Sequence, residues 1–360
     1  MPSRPLAPDQ QHRIGPTTRG VHHARAKDTH MLRRPARDLT RTFTRTFASS
    51  SSSAPRVSIE RAADGVATVT LGRPEKLNSL DIDMFRAIRS AAVELAEDKG
   101  VRAVVVHGSG RAFCAGLDVK SINHPLHARA NGRELLDRPD GAISNLAQDV
   151  CYLWRRVPAP VIAATHGVCL GGGFQIALGA DMRIATPGCK FSLMEAKWGI
   201  IPDMGATVVL PELVPKDVAT ELIMTGRIFD GEEALRLGLV TRLAEEPLAE
   251  ARRLASEIAA RSPDSTAAVK RLLDATYCEA DDRRKLHLET ALQRRLLGGW
   301  NQLASAARGL GAPPLLQPSF AARSDEWLAE ADAEAEAEVR AMLDGGEVEV
   351  RGDEVSEACA

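Results

Sequence analysis

The segment THGVCLGGGFQIALGADMRIATPGCKFSLMEAKWGIIPDMGAT, residues 165–207, constrains this chain more than any other. Gly171, Gly172 and Gly173 follow an apolar run at 161–164 that reads as a buried strand, and precede residues 174–179, which read as a short helix. Glycine lets a backbone approach a ligand closely, and the first amides of a helix have no partner within it. A strand, glycines and a helix in that order therefore suit the binding of negative charge. Alone, such a run reads first as a tight turn. Two carboxylates follow, Glu195 and Asp203. One continuous helix would hold them about 12 Å apart, at about 1.5 Å per residue, too far to serve one substrate. Gly199 and Pro202 break such a helix and allow a bend that brings them together.

This segment and RAFCAGLDVKSI at 111–122 resemble the two signatures of the crotonase (enoyl-CoA hydratase/isomerase) superfamily, over about residues 56–320. Two ordered signatures at the family's separation make the resemblance specific. It implies an α/β fold, the crotonase spiral of ββα units with a helical C-terminal part. It also implies chemistry on an acyl-CoA thioester, in which an enolate forms and its oxyanion must be stabilised while a base is held in place. By resemblance the two oxyanion amides belong to Leu117 and Gly172. Backbone donors tolerate side-chain variation, so a leucine can serve. Lys76, Leu77, Ala115, Gly116, Asp118 and Val119, with Gly171 and Gly173, fall at the substrate and CoA positions. Asp118 reads equally well as a loop-to-helix cap. CoA arrives as part of the substrate, so no separate cofactor is implied.

Hydratases of the family carry two glutamates. This chain has Gln175 at the first of these positions and Glu195 at the second. Glutamine can orient water but cannot take its proton near neutral pH. The dienoyl-CoA isomerases of the superfamily have a Glu and an Asp at the positions of Glu195 and Asp203, and an Asp where Gln175 stands. The expectation is therefore a (di)enoyl-CoA isomerase of fatty acid β-oxidation, with Glu195 and Asp203 relaying the proton. The alternatives are a hydratase acting on 2-enoyl-CoA, which Gln175→Glu would favour, and a catalytically altered member with a binding role. RNA binding would need a basic stripe, and the net charge of −2 supplies no general attraction to nucleic acid.

At 360 residues the chain exceeds a usual single domain. Residues 1–55 are rich in Arg, Ser, Thr and Pro and poor in acids, the composition of a mitochondrial transit peptide, which implies a matrix location. The spiral core is expected over 56–250, a helical part that builds a homotrimer or a hexamer over 251–320, and an acidic tail over 321–360. That tail reads as a solvated helix with a disordered end. Residues 121–140 lose periodicity and read as a mobile loop. Asp64-Gly65 predicts a hairpin turn, and Asp81 the cap of a helix with Phe85, Ile88, Ala92 and Leu95 on one face. Six scattered cysteines suggest neither a disulfide framework nor a metal site. His166 reads as a structural strand-end residue, and His124 and His127 lack partner ligands. No apolar run is long enough to cross a bilayer.

Overall fold

The computed structural model describes residues 55–324 and 326–344. The expected transit segment lies outside them except for Pro55, as does the tail beyond Asp344. β1 (Val57–Arg61) and β2 (Val66–Leu71) form the hairpin that Asp64-Gly65 predicts. Gly65 is left-handed at φ 84°, and Asp64 Oδ1 accepts the Val66 N–H at 3.1 Å. Next come α1 (Ile82–Glu97) and β3 (Ala103–Gly108), then α2 (Val119–Ile122), α3 (Ala128–Leu136) and α4 (Leu146–Arg156). The central segment holds β4 (Val161–Thr165), β5 (Val168–Leu170), α5 (Gly172–Leu178), β6 (Met182–Ala185) and β7 (Lys190–Ser192). After it come α6 (Ala206–Leu213), α7 (Lys216–Thr225), α8 (Gly231–Arg236) and β8 (Arg242–Leu243). Helices α9 (Pro247–Ala259), α10 (Pro263–Thr276), α11 (Asp282–Leu296), α12 (Trp300–Gly309) and α13 (Glu326–Asp344) follow.

The main sheet runs β1-β2-β3-β4-β6-β8, antiparallel at the first pair and parallel thereafter, and β5-β7 form a second, parallel pair. Strands buried on both faces need continuous apolar sequence, which is why β3 begins AVVV and β4 is VIAAT. On one face lies α1, capped as predicted: Asp81 Oδ1 accepts the Met84 N–H at 2.8 Å, and Phe85, Ile88, Ala92 and Leu95 are buried. On the other, Ala251, Ala255 and Ala259 of α9 pack against Val105, Ile162 and Ile184. This is an α/β crotonase-like spiral with a helical C-terminal region. Carboxyl ends of β3 and β4 lead into the two signature loops, so the parallel sheet delivers both to one side.

Two expectations need correction. Residues 121–140 are not simply a loop, because α3 forms across much of them. It is held by the paired bonds of Arg86 to Glu134 at 2.6 and 2.7 Å, by burial of Leu135 and by the bond from Asn131 Nδ2 to Ile122 O at 2.9 Å. Nor is the acidic segment merely solvated. Leu328, Ala331 and Ala335 of α13 are buried with Leu288, Ala291 and Leu292 of α11 and with Ala267 and Ala268 of α10. Ion pairs flank that seam: Arg271 to Asp332 at 2.6 Å, Arg284 to Glu336 at 3.0 Å, and Arg295 to Glu330 and Glu334 at 2.8 and 3.0 Å. Spacings of three and four place the small apolar residues on one stripe, and the acids beside it meet the arginines of α10 and α11. Among the described residues no helix is long and apolar enough to cross a membrane.

Candidate active site

The two signature loops meet backbone to backbone. Leu170 N–H donates to Cys114 O at 3.0 Å and Cys114 N–H to Val168 O at 3.1 Å. Contact this close explains two glycines. A Cβ on Gly116 (φ 87°) would lie 2.7 Å from Leu170 O, and one on Gly173 would lie 2.4 Å from Cys114 O. Gly116 O accepts the Leu80 N–H at 2.8 Å and Asp118 N–H donates to Leu80 O at 2.9 Å, so the bonds on either side of Leu117 are made. Among the described residues, the N–H groups of Leu117 and Gly172 themselves find no acceptor. The loops that carry them adjoin, since the Cβ position of Gly116 is 3.6 Å from Gly172 N. Two free amides on neighbouring loops are suited to an oxyanion.

A third loop braces them. Leu77 and Asn78 are left-handed, at φ 51° and 56°, and Asn78 is fully buried. Its side chain accepts the Arg73 N–H at 2.8 Å and donates to Ser109 O and Ala112 O at 2.9 and 2.8 Å. Leu77 O accepts the Ala115 N–H at 2.9 Å, and Lys76 is exposed at the rim. Asp118 is held on both sides: it caps α2, which Val119 opens, by accepting the Ser121 N–H at 3.2 Å, and it pairs with Arg73 at 3.1 Å. The bracing roles of Asn78 and Arg73 are not legible from local sequence, because their partners lie on other elements.

Glu195 opens a 3-10 turn, Glu195–Trp198, directly after β7. Phe174 of α5 and Phe191 of β7 pack with ring centroids 5.1 Å apart, with Phe229 against both, and fix these elements relative to each other. Glu195 Oε1 accepts from Gln175 Nε2 at 2.8 Å, and Oε2 is buried without a partner. The carboxylate lies against the cradle, its Oε1 3.6 Å from the Cβ position of Gly171. Gln175 is fully buried, and its Oε1 accepts the N–H groups of Met204 and Ala206 at 3.0 and 3.4 Å. One side chain thus joins α5, the Glu195 turn and the bend that carries Asp203.

Burial pushes the Glu195 carboxyl upward. Its own backbone N–H and Gln175 oppose this, and the negative charge of Asp203 adds to it. Asp203, an exposed residue, is itself raised, chiefly by desolvation. The expected bend is present, between the left-handed Gly199 and Gly205. Trp198, Ile200 and Ile201 beside the acids are exposed apolar residues. His166 Nε2 lies 3.0 Å from Gly110 O, a strand-end contact. A cavity of about 1110 Å³ lies elsewhere, between the core and α10–α12. At one end Arg155 pairs with Glu212 and Asp274 at 2.7 and 3.0 Å, and Lys270 with Asp181 at 2.8 Å.

A ββα spiral whose two signature loops present free amides beside a buried glutamate defines a class of protein, the crotonases. Residues 61–299 match the family Enoyl-CoA hydratase/isomerase, and the chain belongs to that family. Among individual relatives, a protein named "Probable enoyl-CoA hydratase echA12" from Mycobacterium bovis is 36% identical over 189 residues, 52% of this chain and 65% of the relative. The chain thus matches just under two thirds of that relative's length. The (E)-benzylidenesuccinyl-CoA hydratase of Thauera aromatica is 35% identical over 213 residues, 57% of this chain and 77% of the relative. The crystal structure of an enoyl-CoA hydratase from Mycobacterium smegmatis superimposes with a TM-score of 0.64 at 28% identity, covering 74% of this chain and 99% of that one.

These names overturn the expected dienoyl-CoA isomerase. The expectation rested on Glu195 and Asp203 standing where those isomerases hold acids. The third position, Gln175, is an amide with its donor and acceptor both engaged, so it offers no group to a proton relay.

Proposed function

We propose that this protein adds water to the double bond of a 2-enoyl-CoA thioester, or removes it in reverse. One observation carries this reading: two acceptor-free amides, on Leu117 and Gly172, adjoin a loop against which a buried glutamate rests with one oxygen unpartnered. In the proposed reaction ionised Glu195 takes one proton from water as the oxygen bonds to C3. The C2–C3 π pair shifts to C1–C2, and the thioester oxygen takes the negative charge, which the two amides receive. As the carbonyl re-forms, C2 takes the proton back from Glu195, so one water is added and the enzyme is unchanged. A single carboxylate suffices because it accepts and returns the same proton, which removes the need for a second glutamate at 175. Asp203, at the mouth, exchanges protons with solvent in this reading.

Lys76, Leu77, Ala115, Gly116, Asp118 and Val119 are assigned to the CoA side, and Gly171 and Gly173 to the acyl side, by their place on the three loops. Assembly into a trimer or hexamer belongs to the same proposal. Support comes from the exposed apolar side chains of Trp300, Leu303, Leu310, Leu315 and Leu316 on and after α12. A matrix location with removal of the basic N-terminal segment is proposed from composition alone. The test of activity is direct: a short 2-enoyl-CoA should lose the ultraviolet absorbance of its conjugated thioester when incubated with the protein, and not with Glu195→Gln. A parent protein inert towards 2-enoyl-CoA thioesters would refute the reading.

A further inference from the structure

We propose that Gln175 is a positioning residue, whose amide sets the direction of the Glu195 carboxylate and locks the turn that carries Asp203. The amide has one workable orientation. Its oxygen meets two N–H donors, of Met204 and Ala206, so its nitrogen must face Glu195, to which it donates at 2.8 Å. With Oε1 so engaged, Glu195 Oε2 is the oxygen left without a partner. A glutamate at 175 could accept the two backbone N–H groups with one oxygen. Its other oxygen would then stand where Nε2 does, against Glu195 Oε1, and two carboxylates at that distance share a proton or repel. Gln175→Glu therefore disturbs the base already present.

The groups facing Glu195 from neighbouring elements keep this interpretable. Asp203 is the charge acting on it. Lys197 of the same turn is exposed, as are Lys216 and Asp217 of α7, and Glu221 of α7 is paired with Arg227. Glu212 of α6 is held by Arg155, and α5 itself, GGFQIAL, carries no titratable side chain. A change at residue 175 is therefore read mainly by Glu195.

The experiment compares the parent with Gln175→Met, which keeps the shape and removes all three hydrogen bonds, and with Gln175→Glu. Two readouts are taken. One is the pH profile of kcat/KM on a short 2-enoyl-CoA, which rests on the hydratase reading. The other is the ¹³C titration of the Glu195 carboxyl, identified by its loss in Glu195→Gln, which does not. Removing a hydrogen bond to a charged acceptor should move the acid limb and the Glu195 titration towards alkaline pH by about one unit, with up to about a tenfold loss of kcat on the acid side of the profile and little change in KM. Gln175→Glu should move both further, with a second, coupled titration appearing. If the parent adds no water yet the titration moves, the reaction assignment falls and the positioning role stands. If the titration stays in place in folded variants, Gln175 only fills space and the proposal is overturned. Gln175→Met guards against a failure of Gln175→Glu to fold.

Discussion

Glu195→Gln should separate activity from stability, and the pH dependence of stability is the sharper measure of the two. In the proposed reaction Glu195 carries the proton, and its loss should then lower hydration by about 10²–10⁴-fold. The fold responds in the opposite sense at high pH. Burial, with Asp203 nearby, raises the Glu195 carboxyl above its ordinary value of 4.5, so the folded chain holds this proton more tightly than the unfolded chain. Stability of the parent from this group is fully present below about pH 4.5 and is lost as pH rises through the folded titration. The loss amounts to about 1.4 kcal/mol for each pH unit that separates the two titrations. Glutamine does not titrate, and Gln175 Nε2 can still donate to its oxygen. Its amide nitrogen, standing at the unpartnered Oε2, adds a penalty of about 1–3 kcal/mol that is the same at every pH. The stability difference, variant minus parent, should therefore grow between pH 4 and pH 8 whatever its offset. Urea denaturation of both proteins across that range measures it. Parallel curves would refute the claim that Glu195 is a desolvated, raised carboxyl.

Gly172→Ala and Gly173→Ala should differ in kind. At Gly172 the new Cβ meets the flexible end of Met204, with Sδ at 2.7 Å, so the protein should fold while turnover falls; at Gly173 it meets Cys114 O at 2.4 Å and should destabilise by about 1–3 kcal/mol or more, as read by thermal denaturation. Truncation after residue 324 removes α13 and uncovers Leu288, Ala291 and Leu292. It should lower the melting temperature, and in the intact chain hydrogen exchange in α11 should rise with salt as the flanking ion pairs are screened. Asp274, partly buried and paired with Arg155, is pushed up by desolvation to about 6 from an ordinary 3.8, against the opposing pull of Arg155. It should therefore take about 3 kcal/mol of stability from the fold as pH rises from below the unfolded titration to above the folded one at about 6, and Asp274→Asn should flatten that part of the curve.

The residues that announced themselves in the sequence act locally. The Asp64-Gly65 turn, the Asp81 cap, the apolar runs of β3 and β4 and the glycine cradle each depend on a few neighbours, so spacing and residue type suffice to read them. The two signatures likewise marked the fold and the loops that carry Leu117 and Gly172. What sequence misjudged lies between segments. Helix α13 reads as solvated because its acids outnumber a stripe made largely of alanines; the arginines of α10 and α11, some forty to sixty residues earlier in the chain, make docking favourable. Gln175 looked like an absent acid because residue type alone does not show what an amide touches. Its partners, Glu195 and the amides of Met204 and Ala206, are 20, 29 and 31 residues away, brought to it by the packing of α5 against β7 and the bend before α6. Sequence by itself determined the fold and the presence of a glutamate beside an amide cradle. Tertiary structure decided which oxygen of that glutamate is free, because hydrogen-bond direction depends on distances between elements that no local pattern encodes.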